Sequence, residues 1–165
     1  MSMYKEMGKT IREEYKKRTD IYKDKTVKWA SEPSVVRIDK PTNLQRAREL
    51  GYKDIIGVVV ARVRVVKGKR KRPSVGGGRK PSKSGRFYSR GKSLQAIAEE
   101  RAARRFINCE VLNSYFVGDT GATAFYEVML LDRSSPSVLA RKDYVGVINR
   151  RGRSFRSLTK ASPRR

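Results

Sequence analysis

The sequence predicts a mixed α+β domain: two helices on one face of a four-stranded, mostly antiparallel sheet, in a two-layer sandwich. Three observations predict it. Residues 57–66 carry Val59, Ala61, Val63 and Val65 on one strand face and Val58, Val60, Arg62, Arg64 and Val66 on the other. Residues 110–118 and 124–132 are two more strand-like runs, joined through the hairpin signal Gly118-Asp119-Thr120-Gly121. Segments after Pro41 and Ser93 carry helix caps and helical apolar spacing. The predicted order is a helix, then β-α-β-α-β-β with a long basic loop, then a basic tail.

Residues 1–30 read as one N-terminal helix that ends at Glu32-Pro33, because a residue before proline is pushed out of the helical region. Tyr4, Ile11, Tyr15, Tyr22 and Trp29 are too sparse for a free-standing amphipathic helix, so it must dock. Ser34–Ile38 is a short strand by its β-branched content. Thr42 and Gln45 have capping-box spacing for the next helix. Leu44, Ala47 and Leu50 give that helix a packing face, and Gly51 stands where it would end in the left-handed conformation. In the helix from Ser93 to Arg105, Leu94, Ile97, Ala98 and Ala102 line one side. Beyond Pro136 the pattern fades. The expected organisation is a helical extension over 1–32, a core domain over 33–140 interrupted by a basic arm at 67–91, and a tail over 141–165.

Charge is the second theme. Forty Lys and Arg oppose sixteen Asp and Glu, with no His, for a formal net charge of +24. That much positive charge repels itself in a compact state, and a polyanion is the usual reason to carry it. Its layout is uneven. Residues 62–92 hold thirteen Lys/Arg and no acid, and residues 141–165 hold nine against one, Asp143. Between them, residues 93–140 hold four bases and six acids. The arm has few apolar residues (Val75, Phe87 and Tyr88), so by itself it is expected to stay disordered and to order on the polyanion. One cysteine, Cys109, excludes an intramolecular disulfide, and no apolar run is long enough to span a bilayer. No signal peptide is recognisable in Met1–Ile11, so a cytoplasmic protein is expected.

Several stretches resemble a known family. They are Glu-Pro-Ser-Val-Val-Arg-Ile at 32–38, Ala-Arg-Glu-Leu-Gly-Tyr-Lys at 47–53, Arg-Val-Arg-Val at 62–65 and Lys-Arg-Pro at 71–73. Further on come Lys-Ser-Leu-Gln-Ala-Ile-Ala-Glu-Glu-Arg-Ala at 92–102, Val-Leu-Asn-Ser-Tyr at 111–115 and Phe-Tyr-Glu-Val at 125–128. Over roughly residues 32–132 they run colinearly with the archaeal and eukaryotic large-subunit ribosomal protein fifteen, the L-fifteen-e family. Phe116 departs from it, standing where the family usually has Trp. The resemblance implies an α+β core embedded in large-subunit ribosomal RNA, with basic extensions threaded among RNA helices. It implies neighbouring ribosomal proteins as further partners, no catalytic residues and no cofactor. Membrane, small-molecule substrate and homo-oligomer are not expected.

The expected RNA contacts follow from phosphate chemistry, since A-form helices offer proteins mainly shape, phosphates and 2′-hydroxyls. Arg pairs bidentately with phosphate, and Lys acts as a point charge. On the arm the candidates are Arg62, Arg64, Lys67, Lys69, Arg70, Lys71, Arg72, Arg79, Lys80, Lys83, Arg86, Arg90 and Lys92. Phe87 and Tyr88 either stack on bases or pack ordinarily. In the tail the candidates are Arg150, Arg151, Arg153, Arg156, Lys160, Arg164 and Arg165. In the first helix Lys5, Lys9, Arg12, Lys16, Lys17 and Arg18 are weaker ones, because Glu13 and Glu14 compete for them.

Other classes fare worse. Glu99-Glu100 looks like an acid pair, but sequence neighbours diverge on a helix and no His completes a site, so a solvated face is expected. Cys109 is expected to be a small buried residue, with no His to activate it. Gly-Gly-Gly-Arg-Lys at 76–80 lacks the P-loop pattern. A chromatin-type DNA-binding protein is the main competing reading, and an RNA-modifying enzyme or nuclease the third.

Overall fold

The computed structural model describes residues 3–68, 73, 75–85 and 91–162. Two helices come first: α1 (Met3–Lys17) and α2 (Asp20–Ser31). Then follow β1 (Val35–Ile38), α3 (Leu44–Glu49), β2 (Val58–Val66) and a 3₁₀ turn at Pro81–Lys83. The chain continues through α4 (Leu94–Arg105), β3 (Cys109–Asp119), β4 (Thr123–Asp132), α5 (Pro136–Leu139) and α6 (Lys142–Ile148).

The strands form one antiparallel sheet in the order β1-β2-β4-β3. β4 is central and buried along nearly its whole length. Its even residues, Ala124, Tyr126, Val128 and Leu130, join Ala61, Val63 and Val65 of β2 and Ala98 and Ala102 of α4. Its odd residues, Phe125 and Met129, join Trp29 of α2, Ala47 of α3, Tyr52, Val60 and Tyr115. The helices therefore cover both faces, not one. A strand apolar on both sides exposes its second face unless something lies on it. The alternation of Phe125, Met129 and Leu131 with Tyr126, Val128 and Leu130 carries this requirement in the sequence itself.

Three local expectations need correction. The N-terminal helix breaks in two at Arg18, whose φ of 51° is left-handed. Thr19 caps the second helix by accepting from the Tyr22 amide, so a new helix starts where the first one stops. The cap of α3 is Asn43, whose side chain accepts from the Arg46 amide at 3.0 Å, and not Thr42. Thr42 and Gln45 form no capping box: Thr42 bonds Glu127, and Gln45 reaches Glu49. The fading pattern after Pro136 conceals two short helices. Val138, Tyr144 and Ile148 are buried with Leu131, and the Tyr144 hydroxyl donates to the Gly51 carbonyl at 2.8 Å. Gly51 has the positive φ (99°) expected after α3. Ser93 caps α4 through the Ala96 amide, as its position implies.

Candidate nucleic-acid interface

The basic residues separate into two sets by what they touch. The first set meets protein. The Arg62 fork grips Glu32 through Nη2 at 2.9 and 3.1 Å and lies 4.7 Å from the Trp29 ring centre. Arg64 donates to the Ala30 carbonyl, and its own carbonyl accepts from Arg101 at 2.8 Å. Lys67 binds Asp119 and the Thr120 carbonyl. Lys92 binds Glu100 at 2.5 Å, and Arg153 donates to the Val111 carbonyl at 2.8 Å. For these five, protein partners stand where the sequence alone offered only a polyanion. Arg62 and Arg64 point from β2 toward α2 and its end, so they tie the N-terminal helices to the sheet.

The second set faces solvent. On the arm, Arg79, Lys80 and Lys83 are exposed, and none meets a carboxylate among the described residues. Arg150, Arg151, Arg156 and Lys160 are likewise exposed without a carboxylate. Gly77 and Gly78 have φ of 74° and 66°, and a Cβ at either would meet only open space, so this backbone is free to lie close to another surface. Lys69, Arg70, Lys71, Arg72, Arg86, Phe87, Tyr88, Arg90, Arg164 and Arg165 lie outside the described residues.

The fold brings the two basic stretches together. The Ser93 hydroxyl, where the arm returns to α4, donates to the Ala161 carbonyl at 2.8 Å. The C-terminal turns lie against α4 and β3: the Gly152 amide donates to Glu110 at 3.0 Å, and Arg104 sits 5.7 Å from the Phe155 ring centre. The residues expected as a free tail thus carry their arginines on a fixed surface beside the end of the arm.

At its other end the arm is braced by the β3–β4 hairpin. Arg18 donates to the Tyr22 hydroxyl, the Asp119 carbonyl and the Asp119 carboxylate at 2.8, 2.9 and 2.8 Å. Burial works against ionisation of Asp119, but hydrogen bonds from Lys67 and Arg18 outweigh it and hold the carboxyl below the usual carboxylate range. The Tyr22 ring packs on Gly118 so closely that a Cβ there would lie 2.8 Å from its hydroxyl. The sequence offers Arg18 as one of several weaker first-helix candidates that Glu13 and Glu14 compete for, and gives no sign that it meets Asp119 of the hairpin. Thr19-Asp20, a capping residue followed by an acid in a first turn, is the signal that exposes the kink holding Arg18 in place.

The acid pair is not a solvated face. Glu99 and Glu100 are both buried. Glu99 accepts from the Ser114 hydroxyl at 2.5 Å, and burial pushes its carboxyl above the usual range against the pull of Ser114, Thr159 and Arg153. Neighbouring α4 side chains do diverge: Glu99 meets Ser114 and the C-terminal Thr159 and Arg153, while Glu100 pairs with Lys92. Cys109 is half-buried, and burial pushes its thiol up, away from thiolate character. Among the described residues no group of three His, Cys, Asp or Glu is placed to hold a metal, and no helix is long and apolar enough to cross a membrane.

A family model described as Ribosomal L15 matches residues 2–165. The large ribosomal subunit protein eL15 of Picrophilus torridus is 48% identical over 161 residues, covering 92% of this chain and 82% of that protein. The eL15 protein of Nanoarchaeum equitans is 45% identical over 145 residues, covering 87% and 76%. That of Metallosphaera sedula is 43% identical over 166 residues, covering 99% and 76%.

Proposed function

The chain belongs to the eL15 family of large-subunit ribosomal proteins, and from that premise we propose that it binds and stabilises large-subunit ribosomal RNA through the arm and the C-terminal basic surface. As a family member it is a structural, non-enzymatic component of the large ribosomal subunit in the cytoplasm. One observation carries the finer reading: two stretches, around 79–83 and 150–160, hold exposed cations that meet no carboxylate among the described residues, and the fold joins the end of the arm to the C-terminal turns at Ser93 and Ala161. Among the described residues Arg79, Lys80, Lys83, Arg150, Arg151, Arg156 and Lys160 meet no carboxylate, and Lys80 reaches only the Gly76 carbonyl, at 3.4 Å. Phosphates would release counterions from RNA on meeting them. The arm residues outside the described set, Arg70 and Arg72 among them, belong to the same reading, as do neighbouring ribosomal proteins as partners.

Sedimentation through sucrose with magnesium, at low and then high salt, tests it. Co-migration with the large subunit that survives high salt is expected. Migration at the top of the gradient would mean a free or DNA-bound basic protein instead.

A further inference from the structure

Beside the root of the arm lies a cleft of about 400 Å³, lined by Arg18, Tyr22, Lys23, Thr26, Lys67, Asp119, Thr120 and Gly121. It opens between α2 and the β3–β4 hairpin. We propose that this cleft is a phosphodiester-binding subsite for RNA, in which Arg18, Lys23 and Lys67 face one backbone phosphate and Asp119 holds two of them in place. The inference rests on the RNA-binding reading above and deepens it by naming a site outside the exposed arm and the C-terminal surface.

Charge argues for an anion. Three cations line the cleft against one carboxylate, and that carboxylate is already used on both oxygens, by Arg18 and by Lys67. Arg18 keeps its Nε–H and Lys67 part of its ammonium donor capacity after these bonds. Among the described residues Lys23 pairs with Asp20, and both of those side chains are well exposed, so this bond is weak and yields to a better partner.

Preorganisation argues for a built site. Arg18 stands in left-handed backbone, with its guanidinium 4.5 Å from the Tyr15 ring centre and 5.1 Å from that of Tyr22. A guanidinium fixed on several sides loses little entropy on meeting a phosphate. The cleft volume of about 400 Å³ lies in the range of small-ligand pockets, roughly 300–1,000 Å³, which is room enough for a phosphodiester group. Position argues for RNA over a free anion: Lys67, in the cleft lining, is the residue at which the arm begins.

Gly121 makes a clean test. A Cβ there meets nothing within 4 Å, so a side chain is accommodated by the fold. Gly121→Glu places a carboxylate at the mouth, and Gly121→Ala is the steric control. Ile107→Glu, at a highly exposed position in the turn between α4 and β3, is the control for net charge. The full chain would be titrated with deproteinised large-subunit rRNA across a salt series. Expected is a loss of about tenfold or more in affinity for Gly121→Glu, and a fall of about one in salt slope for Lys23→Ala. Ile107→Glu is expected to bind as the parent does, and Gly121→Ala to lose far less affinity than Gly121→Glu. Equal affinity for Gly121→Glu and Ile107→Glu, with Lys23→Ala unchanged in slope, would remove the cleft while leaving RNA binding by the arm intact. A parent protein that itself shows no salt-dependent rRNA binding would fail the function, not only the cleft. Stabilisation by inorganic phosphate that Gly121→Glu abolishes, with rRNA binding unchanged, would assign the cleft to a free anion and overturn the proposal.

Discussion

Two buried glutamates show how single residues set the stability of this domain. Glu127 is fully buried on central strand β4, and it accepts hydrogen bonds from the Tyr115 hydroxyl, the Thr42 hydroxyl at 2.5 Å and the Thr42 amide at 3.0 Å. The carboxylate is an anchor: it ties the chain entering α3 to the sheet. Tyr115→Phe leaves a buried acceptor short of a donor, so urea unfolding is expected to show a loss of about 1–3 kcal/mol. Burial pushes both Glu127 and Glu99 above the usual carboxyl range. A group whose folded pKa is raised stabilises most below its unfolded value, and that contribution is lost as pH rises through the folded value. These two residues therefore make the domain less stable from about pH 4.3 upward. Asp119 acts in the opposite direction, because its carboxyl is depressed and its contribution is lost as pH falls. Glu99→Gln keeps an acceptor for Ser114 and cannot ionise. Urea midpoints measured between pH 4.5 and 7 are expected to fall less steeply in Glu99→Gln than in the parent. Parallel curves would mean that Glu99 does not titrate in that window.

At the scale of elements, what was legible depended on how much periodic pattern each one contained. β2 and β4 run for nine and ten residues, long enough for alternation to show, and the hairpin between β3 and β4 is announced by its turn residues. α4 has both a cap and a stripe. α5 and α6 have four and seven residues, so each spans two turns at most. Val138 in α5 and Tyr144 and Ile148 in α6 are their core signal, the last two set near exposed bases that read as a tail. The break at Arg18 was hidden for another reason: the residues on both sides favour helix, and only the cap distinguishes one helix from two. Thr19→Ala is accordingly expected to cost about 0.5–2 kcal/mol, and to loosen Arg18 from Asp119. Thermal melts followed by far-ultraviolet circular dichroism would show it. Among glycines, Gly57 is the informative position. Its φ is 95°, and a Cβ would overlap the Ser135 side chain and lie 2.7 Å from a Val138 methyl. Gly57→Ala is expected to destabilise by about 1–3 kcal/mol, since strain and overpacking act together. The measure is again the urea midpoint, with Gly121→Ala as the neutral comparison.

For the whole molecule the question is which of its forty Lys and Arg hold the fold and which hold RNA, because composition treats them alike. The structure separates them by partner. Arg62 has a nearly buried side chain gripping Glu32 and packed on Trp29, so Arg62→Ala leaves a carboxylate unpaired and removes a wall from α2. Loss of stability is the expected result, with the salt slope of RNA binding unchanged for the fraction that stays folded. Arg79, Lys80 and Lys83 touch no carboxylate among the described residues and line an exposed stretch. Replacing all three by Ala leaves the core untouched, so the unfolding midpoint is expected to stay where it is. Each phosphate that is no longer neutralised takes roughly 0.7–0.9 from the salt slope, so the triple variant is expected to bind with a slope lower by about two. The two experiments together form a crossed test, stability against slope, that charge alone cannot produce. A uniform electrostatic attraction of a +24 chain to RNA predicts that removing one cation weakens binding equally at Arg62 and at Lys83. If Arg62→Ala flattens the slope as much per charge as the arm variant does, the division of labour fails and the chain acts as a diffuse polycation. If only the arm variant does, the fold has set some of its charge aside to hold itself together and turned the rest toward RNA.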